Sequence, residues 1–379
     1  MSNNPIVSVF IPYYNDKEFL KHSIESVLNQ TYQNWELILL NHATQDSCRQ
    51  IAHSYNDVRI KHIDMPYNLG YGGSGFLLKE SLKIAKGKYI KLFCADDIMV
   101  TDGLEKLVNY MEENSNVDFA FGNVEYIDFK GKDLKKNWFE SREGFNINIK
   151  EVELIKKYSE FIGLLPYIGC IIKKEILFNI TINTTFIYMF DWSLWLELLC
   201  AKYKIGFCNE IVAKYRFHTG QVSSPSQHLN VFYLTTFERA YFWHIFQKIQ
   251  DIETAKKVFC DSKYVDMLKE KEDIPFFVAQ ALLKNNQYCI YAYSYVSKLL
   301  NNEQTREYLQ KTFNYGIKDL RKDCMDNFTV RKVAIENRRK VYMKNVGELN
   351  FKDLIFLFFY KIYLFFTFTL TEKRKNKSL

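Results

Sequence analysis

At 379 residues, 47% of them apolar, the chain is long enough to bury a large core, which excludes a peptide or a tail and fits a globular protein. Its net charge of +7 sits at one end: residues 331–379 hold 12 Lys or Arg against 4 Asp or Glu, so the remainder is nearly neutral. That distribution excludes a body-wide nucleic-acid groove and points to a local anionic partner, lipid head groups or nucleic acid, for the C-terminal end.

The eight cysteines (48, 94, 170, 200, 208, 260, 289 and 324) form no CxxC pair and have no His at metal-ligand spacing, so they read as reduced, mostly buried thiols. MSNNPIVSVF carries no basic segment before a long apolar stretch, which predicts a cytosolic protein.

The β-branched run Ile6–Ile11 predicts a first strand, ended by Pro12, Tyr13, Tyr14, Asn15 and Asp16. Asp16 is placed to cap a helix whose apolar residues Phe19, Leu20, Ile24, Val27 and Leu28 recur at helical spacing. Trp35–Leu40 predicts a second strand buried on both faces, and strand, helix, strand in this order is a βαβ unit with parallel strands. The polar segment Asn41–Ser47 at its carboxyl end is a candidate nucleotide contact, or a plain loop with Asp46 or Ser47 opening the next helix. Val58–Ile63 predicts a third strand. The following NLGYGGSGF, Asn68–Phe76, lacks the Lys of a P-loop and does not fit G-x-G-x-x-G, so flexible loop is favoured over phosphate cradle. A helix is expected over Leu77–Ala85.

The strand Tyr89–Phe93 ends at the adjacent carboxylates Asp96 and Asp97. In an open α/β sheet, ligands bind outside the carboxyl ends of the strands, and an acidic pair there can hold Mg²⁺ together with substrate phosphates. The alternative is a solvated turn before the next helix. Asp102 with Glu105 reads as a capping box for that helix, striped by Leu104, Leu107, Val108 and Met111. Val117–Val124 predicts a strand, residues 126–157 a hairpin and loop, and Ile168–Ile172 a short strand. Asp191 begins a helix with Leu194, Trp195, Leu198 and Leu199 inward, either as a functional carboxylate or as a helix cap. Ile205–Phe207 and Ile211–Arg216 predict two last strands, closing on YRFH with His218.

Taken together, VSVFIPYYN (Val7–Asn15), SIESVLNQTYQNWELILL (Ser23–Leu40), AKGKYIKLFCADD (Ala85–Asp97), FDWSLWLEL (Phe190–Leu198) and YRFHTGQVS (Tyr215–Ser223) resemble, in order and spacing, a family 2 glycosyltransferase. The resemblance implies an α/β, Rossmann-like GT-A fold with a mostly parallel central sheet over residues 1–224. It implies a nucleotide-sugar donor, UDP-linked, and inverting transfer to a saccharide or lipid-linked acceptor in surface glycan biosynthesis. Carried over, Asp97 is the ligand of a divalent metal (Mn or Mg), Asp96 contacts donor ribose or metal, and Asp191 is the general base. His218 lies near the diphosphate or metal, and Pro12, Tyr14 and Asn15 line the nucleotide pocket with Asn41 and His42. The chain departs from the family in having Asn41, His42, Ala43 and Thr44 where two Asp precede Gly-Ser, Phe190 where an acid precedes Asp191, and Leu78 and Lys79 for an Arg-Asn pair.

Residues 225–350 read as a helical region that covers the acceptor cleft or joins subunits in a homo-oligomer. Residues 351–379 read as an aromatic, basic segment. Its Phe351–Leu370 stretch, too short between charges for a span, is expected at the inner membrane surface, with a buried closing helix as the alternative. The rival function is a nucleotide-sugar-binding module of the same fold without turnover, motivated by Asn41, His42 and Phe190. A nucleotidyltransferase is disfavoured by the absence of a Gly-rich basic loop after the first strand. No nucleic acid is expected as partner.

Overall fold

Val7, Ser8, Val9 and Ile11 are wholly buried and Phe10 nearly so, and a run with no exposed face belongs in the middle of a sheet covered on both sides. The computed structural model describes residues 5–44, 47–68, 74–160, 162–221, 235, 238–239, 241–285 and 288–326. In it β1 (Val7–Tyr13) lies between β2 (Trp35–Asn41) and β4 (Tyr89–Leu92), parallel to both, and β2 pairs in parallel with β3 (Ile60–Asp64). Helices α1 (Leu20–Leu28), α2 (Ser47–His53) and α3 (Ser74–Ile84) make the crossovers, with Leu20, Ile24 and Val27 of α1 in the core.

The sheet continues as β3-β2-β1-β4-β8-β6-β9-β5, with β7 (Asp133–Asn137) paired to β6 (Phe119–Ile127). Strand β8 (Cys170–Lys173) runs antiparallel to β4 and β6, whereas β6 and β9 (Ile205–Arg216) are parallel. Helix α4 (Gly103–Glu113) follows the two-residue β5 (Ile98–Met99), α5 (Trp138–Ser141) and α6 (Glu151–Ser159) follow β7, and α7 (Phe190–Cys200) precedes β9. Mixed but parallel over β3-β2-β1-β4, the sheet matches the expected α/β class.

Local departures have physical reasons. Pro12 stays in β1, because a parallel strand end tolerates its missing N–H, and it pairs with Leu40. Asp16 does not cap α1. Its carboxylate accepts the Tyr14 N–H at 2.9 Å, forming a turn, while its carbonyl accepts the N–H groups of Phe19 and Leu20. Asp102 and Glu105 form no capping box, since Asp102 pairs with Lys106 at 2.9 Å and Glu105 accepts the Thr31 hydroxyl at 2.6 Å. Val58 is fully exposed outside β3. The two last predicted strands are one strand: its register against β6 shifts where the exposed Asn209 and Glu210 are looped out as a bulge.

The first compact unit runs to Leu320 and includes helices Ile252–Val258, Ile274–Leu282, Cys289–Asn301 and Glu303–Phe313. Arg321 opens a second unit, described only to residue 326. Among the described residues no helix is long and apolar enough to cross a membrane. Asp46, the glycines of the loop at 70–73 and the segment 351–379 lie outside the described residues.

Gly75, in the first turn of α3, packs where a Cβ would stand 1.8 Å from the Asn183 carbonyl oxygen. Gly75→Ala is therefore expected to destabilise the fold by about 1–3 kcal/mol, read as a lower urea midpoint at unchanged m-value.

Candidate active site

The apolar run of β4 passes through buried Phe93 into a short loop, and β5 then pairs antiparallel with β9. This geometry carries residues 94–97 from the end of one strand to the end of another. Asp97 is 1% exposed. Its Oδ1 accepts the Arg216 N–H at 2.8 Å, while Oδ2 is buried without a hydrogen-bond partner. Burial and the adjacent Asp96 charge push the Asp97 carboxyl well above its usual range, against the Arg216 N–H and guanidinium and the Cys94 thiol, which favour the charged form. A buried carboxylate oxygen with no donor fits a cation better than it fits an empty core.

Arg216 organises the loop. Its Nε donates to the Asp96 carbonyl at 2.8 Å, Nη1 donates to the Phe129 carbonyl at 3.0 Å, and the guanidinium lies over the Phe19 ring. His218 Nε2 is 3.0 Å from Asp96 Oδ2, and its ring packs 4.8 Å from that of Phe19. Thus Asp96, Asp97 and His218, far apart in sequence, meet at one end of the sheet. The Cys94 thiol joins them: one donor atom from each of Cys94, Asp96 and Asp97 lies within 4.8 Å of the others. Next to His218, a cavity of about 770 Å³ is lined by residues 15–19, Phe129 and residues 217–221.

The other predicted contacts gather at the ends of β1 and β2. Asn15 is left-handed, φ 57°, and its Oδ1 accepts the Thr44 hydroxyl at 3.1 Å. Asn41 accepts the Thr44 N–H at 2.8 Å and donates to the Thr44 carbonyl at 3.0 Å and to Asp64 Oδ1 at 2.7 Å. That turn carries Ala43 at φ 62°, in a region a glycine would enter more easily. His42 is buried, which lowers its pKa, and lies edge-on to the exposed Tyr14 at 6.1 Å between centroids. Leu78, one of the departures, is a buried core residue of α3.

Asp191 sits in the first turn of α7, where burial pushes its carboxyl up to about 7 despite backbone N–H bonds that lower it. Glu238 adds to the rise. The Glu238 carboxylate accepts the backbone N–H groups of Tyr188 and Met189, the latter at 2.8 Å, and that of Ile187, and so fixes the approach to α7. Tyr167 connects the two acidic regions. Its hydroxyl is raised well above its usual pKa by burial and, further, by the charges of Cys94, Cys170 and Asp191. Beneath it, the buried Lys91 ammonium donates to the carbonyls of Ile168 and, at 3.1 Å, Leu92. Burial lowers Lys91 to about 8, opposed by Cys170, Cys94 and Asp97.

Cys94, Lys91, Arg216 and Glu238 escape a reading of the sequence. Cys94 and Lys91 stand inside or beside an apolar run, and the only cue for Arg216 is its place in YRFH. Glu238 is separated from its partners by 49–51 residues, beyond any local pattern.

A family model described as glycosyl transferase family 2 matches residues 8–178. The chain is 33% identical over 218 residues to an uncharacterized glycosyltransferase of Methanocaldococcus jannaschii, covering 56% of this chain and 71% of that protein. It is 30% identical over 222 residues to the Escherichia coli UDP-Glc:alpha-D-GlcNAc-diphosphoundecaprenol beta-1,3-glucosyltransferase WfgD, covering 58% and 80%. Its fold is similar to that of S. aureus TarS 1–349 solved with UDP-GlcNAc, at a TM-score of 0.51 and 16% identity over 88% of this chain and 92% of that one.

Arg216→Met keeps the backbone bond to Asp97 but strands the carbonyls of Asp96 and Phe129. It is expected to cost about 2–3 kcal/mol in chemical denaturation, with Arg216→Lys recovering only part, because an ammonium cannot reproduce the planar fork.

Proposed function

Because this chain belongs to glycosyl transferase family 2, we propose that it moves a sugar from a UDP-linked donor to a hydroxyl of a saccharide or lipid-linked acceptor, with inversion. The observation that carries this reading is the partnerless Oδ2 of buried Asp97 beside Asp96, at the strand end where an open sheet binds ligands. The name of the E. coli relative supports the donor and acceptor classes, since it specifies UDP-Glc and a diphosphoundecaprenol-linked sugar.

In the proposed reaction the acceptor oxygen bonds to the anomeric carbon as the bond from that carbon to the diphosphate breaks, and the electron pair leaves with the nucleoside diphosphate. Asp191 takes the acceptor proton. A carboxylate raised to about 7 suits that role, because it is a stronger base than an ordinary Asp yet still about half ionised at neutral pH. Asp97 and Asp96 are the residues that would hold a divalent cation, Mn or Mg, with His218 beside them; such an ion supplies positive charge against the charge growing on the diphosphate. Asn15, Tyr14 and Pro12, with Asn41 and His42, are proposed to line the donor pocket.

In this scheme catalysis is assigned to residues 1–224 and a helical role to 225–350, of which 225–234, 236–237, 240, 286–287 and 327–350 lie outside the described residues, as does 351–379, proposed to meet anionic lipid at the inner membrane face. Surface glycan assembly is the proposed setting.

Asp191→Asn is expected to lower kcat by about 10²–10⁴-fold while donor affinity is unchanged; full turnover in that variant would refute the base assignment. Purified wild-type protein with a UDP-sugar panel and Mn²⁺ should release UDP, whereas a turnover-free binding module releases none. Asp97→Ala should abolish the cation dependence of donor binding in calorimetry. Because a base works only when deprotonated, kcat should rise with pH through about 7 and fall below it as Asp191 takes up a proton.

A further inference from the structure

We propose that Cys94 supplies a thiol donor to the cation site at the end of β4, so that this chain also takes thiophilic divalent ions, Zn²⁺ or Cd²⁺, in a mixed sulfur and oxygen shell. The inference rests on the reading of Asp96 and Asp97 as cation ligands and adds a third ligand of a different kind.

Three observations carry it. The Cys94 sulfur and one carboxylate oxygen from each aspartate lie within 4.8 Å of one another. A single ion with bonds of about 2.0–2.3 Å holds its donors roughly 3.3–3.5 Å apart, so binding would draw these three side chains together by at most about 1.5 Å. Independently, Asp97 is 1% exposed, its Oδ1 is taken by the Arg216 N–H, and its Oδ2 is left with no hydrogen-bond partner. Finally, the backbone that carries the thiol is held in place, because the Cys94 carbonyl accepts the Ser23 hydroxyl of α1 at 2.8 Å and the following residues are tied to Arg216.

Sulfur and oxygen donors discriminate between ions. Mg²⁺ prefers carboxylate, phosphate and water oxygens and leaves the thiol protonated beside it. Zn²⁺ or Cd²⁺ bonds the sulfur: the S–H bond breaks, its electron pair forms the metal–sulfur bond, and the proton goes to solvent. The chain therefore carries a built-in preference among divalent ions at one position.

The test is titration of the full-length protein with Cd²⁺, without nucleotide, followed by the ultraviolet sulfur-to-metal charge-transfer band. To remove the one exposed thiol among the described residues, Cys260→Ser is the background. The inference expects one equivalent of band. Adding Cys94→Ser should abolish it and weaken Cd²⁺ by about 10–100-fold, with Mg²⁺ or Mn²⁺ affinity changed less than about twofold. A band that survives Cys94→Ser, or no band at all, overturns it.

Because that variant could perturb the loop, maleimide labelling of the unmutated protein, mapped by mass spectrometry, gives a second readout. Cd²⁺ should protect Cys94 and Mg²⁺ should not; equal labelling with both ions overturns the inference. If Mn²⁺ binds by calorimetry while Cd²⁺ raises no band, only the thiol role fails. If neither ion binds, the acidic pair is no cation site and both readings fall.

Discussion

One hydrogen bond, from the Arg216 N–H to Asp97 Oδ1, fastens the end of β9 to the loop leaving β4. A buried carboxylate is costly, and this site holds one, Asp97, beside the partly exposed Asp96. The loop can tolerate that arrangement because Arg216 acts twice: its N–H and its guanidinium charge both favour the ionised Asp97, while its side chain satisfies the carbonyls of Asp96 and Phe129. One lone pair set, on Oδ2, is left over. The fold thus leaves one buried oxygen without a hydrogen-bond partner at a fixed point, which is the feature that the cation proposal rests on.

The donor side obeys a different constraint. Asn41 must donate to Asp64, and it can do so only as an amide; a carboxylate there would face Asp64 across 2.7 Å with no proton between them. Burial alone would raise Asp64, yet hydrogen bonds from Arg49 and Asn41 bring it below its usual value. Asn41, Asp64 and Arg49 therefore form one ordered group at the ends of β2 and β3. The departure from the family's acidic pair is matched by its neighbours, and the turn it closes is complete even with Ala43 in the left-handed region.

How much of this could be read from the chain depends on the range of the interaction. Strands β1, β2 and β4 were legible because each is mostly apolar with at most two polar residues, and the acidic pair because adjacent charges end such a run abruptly. Strand β9 read as two because Asn209 and Glu210 look like a turn, and only pairing with β6 shows that they bulge from one strand. The expected capping box at Asp102 failed because Lys106, one turn along, claims Asp102, and Thr31, distant in sequence, claims Glu105. Two-residue β5 has no signal of its own. Cys94 hid because a thiol in an apolar run reads as core, although it is the most polarisable atom in the acidic cluster.

The region beyond the family match bears on the acidity of Asp191. Glu238, from that region, caps the N–H groups before α7 and adds negative charge near Asp191. Lys248 pairs with buried Glu197 of α7 at 2.7 Å. The Tyr288 hydroxyl donates to the Tyr158 carbonyl at 2.9 Å, and Asn285 donates to that of Ser159 at 2.7 Å, which ties the C-terminal helices to α6. Because α7 is thus held at its start and along its length, the carboxylate at its first turn keeps its place, where desolvation raises its proton affinity. The helical region therefore acts on the candidate base through position and desolvation, without itself contributing a group to the acidic cluster at the end of β4.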